Sequence, residues 1–219
     1  MLPGLPRRLL AFAGSCLLVA ACATPSSQHA APRDSESFPY RDGTMSLRQR
    51  GAECEVTLSG EITPAAVSAL SLVTADMAKR NCGAKWLVLD NVDGQVGPAI
   101  TIGSMLRNRG FNTRVAPGST CLTPCLIAFA AGTERHIPPG PNAARVGFSQ
   151  LPPDEDYARG RCETALDNRQ LISLSRYLRA MLPDSAGDLV MRELRATDCR
   201  GVRPLPTTDA MAAGLVTRN

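Results

Sequence analysis

A chain of 219 residues with 44% hydrophobic side chains can build one domain with a substantial core. Its 24 basic and 20 acidic residues are scattered rather than striped, and aromatic residues make up only 4%, a balance that argues against a nucleic-acid partner. No internal repeat is present.

The chain opens on a short basic segment ending in Arg7-Arg8, followed by an apolar run from Leu9 to Ala21 that stops at Cys22. That order is a signal peptide over residues 1–21. The run is shorter than the roughly 20 apolar residues a spanning helix needs. Leu18-Val-Ala-Ala21 before Cys22 resembles the lipobox of bacterial lipoproteins, in which small side chains admit the peptidase and the cysteine thiol takes the lipid. Cys22 is therefore the expected lipidation site, and a diacylated, N-acylated cysteine supplies the multiple chains that stable anchoring requires. Ala23 rather than Asp after it resembles the outer-membrane sorting pattern. The expected location is the bacterial envelope, with the domain facing the periplasm. Residues 22–44 are rich in Pro, Ser, Gln, Asp and Arg and read as a flexible tether, so the folded domain is expected over residues 45–219.

Cys54 to Ile62 alternates apolar and polar residues, the period of a half-buried strand. Thr63-Pro64 gives a cap and a first-turn proline for a helix to about Arg80. Trp86 to Leu89 is an apolar strand, Asp90 to Gly94 a turn, and Ala99 to Arg109 a second helix ending before Gly110. A strand over 112–115 follows, and Thr123-Pro124 repeats the cap signal before a strongly apolar helix through Ala131. Glu134–Ile137 and Ala144–Phe148 read as strands separated by a proline-rich loop. Helices follow over 164–182, about 185–196, and after Thr208. Strands alternating with helices imply a largely parallel sheet.

Setting aside Cys16 and Cys22, six cysteines remain: Cys54, Cys82, Cys121, Cys125, Cys162 and Cys199. An even number in an oxidising compartment points to disulfides. Without a Cys-x-x-Cys pair, and with His136 as the only histidine of the domain, no metal or other cofactor is expected. Six cysteines leave the connectivity open. The expected pairs are Cys162 with Cys199 in the helical region, then Cys54 with Cys82 and Cys121 with Cys125.

Four stretches carry a resemblance. Leu87-Val-Leu-Asp-Asn-Val-Asp-Gly94-Gln-Val is similar to a strand and glycine turn that supplies an oxyanion site. Cys121-Leu-Thr-Pro-Cys125 with Phe129-Ala-Ala-Gly132 resembles a segment in which a nucleophilic serine opens a buried helix. Ala144-Arg-Val-Gly-Phe-Ser149-Gln150 resembles a strand that ends in a catalytic histidine, and Thr208 to Val216 resembles the "Ala-x-x-x-Gly-Leu-Val" close of the same fold. Together they resemble the Clp-protease proteolytic subunit and crotonase superfamily, including its envelope members. The resemblance implies an α/β fold, a spiral of β-β-α units with a helical C-terminal region.

Residue by residue, the resemblance places the serine at Thr123, the histidine at Ser149, and the first two turn glycines at Asp93 and Gly94. Every chemical part but Gly94 is altered. Ser149 cannot act as a base at neutral pH, and the carboxylate of Asp93 would repel a developing oxyanion. Thr123 reads as a helix N-cap with Pro124 behind it, His136 as a strand-end histidine, and Asp154-Glu-Asp156 as a solvated loop. Cys125 sits where a thiolate would be stabilised, but a paired sulfur is no nucleophile. Three functions suit this pattern: a non-catalytic lipoprotein that binds a ligand or envelope partner, a peptidase or esterase with Thr123 as nucleophile, and a purely structural envelope protein. The missing histidine favours the first. The resemblance also permits homo-oligomers.

Overall fold

The computed structural model describes residues 35–149, 168–197 and 201–218. The signal segment, Cys22, the acidic run 154–156, Cys162 and Cys199 lie outside the described residues.

The folded part begins earlier than expected. Glu36–Tyr40 (β1) and Gly43–Arg50 (β2) form a hairpin on Glu53–Ile62 (β3), all antiparallel. Residues 36–40 and 43–44 are therefore strand, joined by a two-residue turn, rather than tether. Phe38 and Tyr40 pack on the core, and Pro39 is tolerated because β1 lies at the sheet edge. Pro64–Met77 (α1) then crosses to Ala84–Gly94 (β4), which pairs in parallel with β3. A disulfide joins Cys54 to Cys82 across a separation of 28 residues. By loop length it stabilises the fold by roughly 3 to 4 kcal/mol.

β4 serves two partners on its far side. Its first half, Trp86 to Leu89, pairs in parallel with Asn112–Val115 (β5), whereas Val92 pairs with Cys121 of Thr120–Cys121 (β6). The strand thus runs on through the expected turn at residues 90–94. The change of partner occurs at Asn91, a bulge residue with φ +50° over which the register with β3 slips by one. Asparagine tolerates this left-handed conformation, and its Oδ1 accepts the Thr120 amide at 3.1 Å. Asp90 completes the junction, accepting hydroxyls from Ser119 at 2.6 Å and Ser59 at 3.3 Å.

Between β4 and β5 lies Val96–Asn108 (α2), and Thr123–Ala130 (α3) follows β6. All eight residues of α3 are buried, as an all-round apolar helix must be. Arg135–His136 (β7) pairs with β5, and Arg145–Phe148 (β8) with β6, both in parallel. Asn168–Met181 (α4) and Asp184–Ala196 (α5) are amphipathic, burying Leu174, Tyr177 and Leu178 from one and Leu189, Val190 and Leu194 from the other. Arg203–Pro204 (β9) pairs antiparallel with β8, and Thr207–Ala212 (α6) follows. The sheet is therefore mixed: parallel through its middle, antiparallel at both margins.

Candidate functional site

β6 and β8 run side by side, so the start of α3 and the end of β8 meet. Thr123 and Ser149 come together there, but through the backbone of Ser149. The Thr123 hydroxyl donates to the Ser149 carbonyl at 2.5 Å and accepts the Ser149 amide N–H at 2.9 Å. Thr123 is 1% exposed. A hydroxyl nucleophile must surrender its proton to a base, and this proton rests on an amide oxygen, which is not one at neutral pH.

Thr123 is not the helix N-cap expected of it. Leu122 is the N-cap, with φ −98° and ψ −166°, and Thr123 is the first helical residue, its side chain making no cap bond. Proline is accepted throughout the first turn, where its missing N–H is not needed, so a Thr-Pro pair alone does not fix the cap. An oxyanion donor is often the amide following the nucleophile; here that residue is Pro124, which has no N–H.

At the β4 end, Gly94 has φ +129°, and a Cβ there would lie 2.4 Å from the Ile62 carbonyl oxygen. Only glycine fits. Its amide donates at 2.8 Å to Asp93 Oδ1, and the next amide, of Gln95, donates to the Ile62 carbonyl at 2.9 Å. The Asp93 carboxylate thus takes the Gly94 donor, which is not free to hold an oxyanion.

Sulfur closes the same region. Cys121, at the end of β6, is bonded to Cys125 in the first turn of α3, and both are fully buried. Cys125 is therefore no thiolate. Lys79 lies against Asp76, and Lys85 donates to the Arg109 carbonyl. His136 stands on β7, level with Arg114 of β5, rather than at the end of β8. Partial burial and then the charges of Arg114 and Arg218 hold its pKa below the usual histidine value. Among the described residues no three His, Cys, Asp or Glu side chains gather as metal ligands would.

No protein-family model and no curated sequence matches the chain. Solved structures do. A membrane-bound stomatin-specific protease superposes with a TM-score of 0.55 at 12% identity, over 75% of this chain and 76% of its own. An enoyl-CoA hydratase/isomerase family protein from Pseudomonas syringae gives 0.51 at 13% identity, over 80% and 75%. An enoyl-CoA hydratase from Mycobacterium marinum gives 0.50 at 14%, over 80% and 76%. The chain has the Clp-protease/crotonase fold.

Within this crotonase-like domain, the element order carries the four resembling stretches where the resemblance put them: β4 into α2, β6 into α3, the end of β8, and α6. Arg135 is a buried charge with no counterpart among the expected site residues. Its guanidinium is buried and donates to the carbonyls of Gly132 at 2.6 Å, Leu215 at 2.7 Å and Gly214 at 3.0 Å. These carbonyls follow the C-terminal ends of α3 and α6, where helix dipoles favour a cation. Burial, then the nearby Arg107 charge, lowers its pKa to about 10, so it stays charged at neutral pH. An arginine two residues before a loop gave no sign of this in sequence.

Proposed function

We propose that this is a lipid-anchored envelope protein whose crotonase-like domain binds a peptide or protein partner instead of turning over a substrate. One observation carries the reading: both hydrogen-bonding roles of the Thr123 hydroxyl are taken by the Ser149 backbone. Its surroundings agree, since the Gly94 amide is held by Asp93 and Cys125 is oxidised. General-base help contributes about 10²- to 10⁴-fold and an oxyanion donor about 10²- to 10³-fold, so a site without either works near the uncatalysed rate.

Purified protein treated with active-site phosphonates tests this directly. The expected result is no labelling and no turnover of peptide or ester substrates. Stoichiometric labelling lost in Thr123→Ala would establish the hydrolase reading instead. The anchor is tested separately in cells fed a fatty-acid probe. Wild type should be labelled and Cys22→Ser should remain unlabelled and unprocessed; equal labelling of the two would remove the lipid from the proposal.

A further inference from the structure

α4 contains no Asp or Glu. With Leu174, Tyr177 and Leu178 in the core, Ile172, Arg176 and Arg179 follow one another at helical spacing along its other side. Ile172 is 59% exposed. Beside it lies a groove of about 590 Å³ lined by Leu171, Ile172, Ser175, Arg176, Arg179 and, from α5, Arg195. Among the described residues no carboxylate lines this groove. Asp184 and Asp188 belong to the adjoining one, where Arg179 and Arg195 also reach. Among the described residues, Arg176, Arg179 and Arg195 form no ion pair.

Three guanidiniums around an exposed isoleucine make a surface suited to a lipid interface. Guanidinium forks match phosphate oxygens, and an apolar side chain between them can enter the headgroup layer. We infer that the α4–α5 face docks on the anionic phospholipid headgroups of the membrane that carries the chain's own lipid. The inference rests on the anchoring reading. From Cys22 to the start of β1 at Glu36 is 14 residues, at most about 50 Å of extended chain, so the anchor confines the domain beside that surface. Each arginine near an anionic leaflet then adds to an attraction that one anchor alone does not orient.

The test uses the processed, lipid-bearing protein in nanodiscs carrying a gadolinium headgroup lipid, with isoleucine methyls observed by NMR. One set is pure phosphatidylcholine; the other contains phosphatidylglycerol. The Ile172 methyl should be broadened more than twofold further in the anionic discs, while the buried Ile102 and Ile127 report an intact fold. Arg176→Gln, Arg179→Gln and Arg195→Gln together should abolish the difference without moving the two reference signals. Equal broadening of Ile172 in both lipid compositions overturns the inference and leaves the groove to a soluble acidic partner. Failure of the anchor reading shows differently: the protein would not associate with phosphatidylcholine discs at all.

Discussion

Two threonines stand at the starts of two helices, each followed by proline, and their surroundings differ. Thr63 is the N-cap of α1, with its hydroxyl buried and without a hydrogen-bond partner, whereas the Thr123 hydroxyl makes two bonds. The same replacement should therefore act in opposite directions. Thr123→Val strands the amide and carbonyl of Ser149 and should cost about 1 to 3 kcal/mol. Thr63→Val removes a buried hydroxyl that bonds to nothing and should be neutral or stabilise by up to about 1 kcal/mol. Denaturant unfolding of both variants checks this, and a loss at Thr63 equal to that at Thr123 would refute the distinction. The two Thr-Pro pairs look alike in sequence, because what separates them is whether a distant strand end comes within reach.

Among the elements, most of what carried strong periodicity was legible. The strand over Asn112–Val115 has the expected bounds, and the helices following Thr63, Gly94 and Thr123 fall within a few residues of theirs. The β1–β2 hairpin was not legible, because an edge strand holding Pro39 has the composition of a linker. Nor was the continuation of β4, since a bulge at Asn91 looks locally like a turn. A junction of three helices was hidden as well. Tyr177 of α4 donates to the Ile127 carbonyl of α3 at 2.8 Å, and Gly103 of α2 leaves the space for its ring; a Cβ there would sit 1.8 Å from the Tyr177 oxygen. Helix propensity alone makes Gly103→Ala stabilising by nearly 1 kcal/mol. Overpacking reverses the sign, so a net loss of about 1 to 2 kcal/mol is expected. Thermal melting decides between them, and Gly103→Ala combined with Tyr177→Phe should recover part of the loss.

Across the whole molecule, stability should fall with acidification in two steps. His136 has a depressed pKa, so the folded chain resists a proton that the unfolded chain takes near pH 6.5, and its contribution is lost as pH drops through that value. Asp76 and Glu193 are held low chiefly by hydrogen bonds from Arg80 and Arg203; what they contribute is present above the ordinary carboxylate range and lost as pH falls through it. Melting temperature should thus drop between pH 7.5 and 5.5 and again below about pH 4. In His136→Gln the first drop should vanish and the second remain; an unchanged first drop would assign it to another group. Arg135 sets a different kind of requirement. Its charge is satisfied by residues 80 and 79 positions further along, Leu215 and Gly214, and Thr217 accepts its amide. Until those residues have been synthesised and delivered, a nascent chain that buried Arg135 would bury a cation with two of its three carbonyl partners missing. Closing the core around a satisfied Arg135 therefore waits on residues 214 and 215, contacts of long sequence separation that cost loop closure before they give anything back.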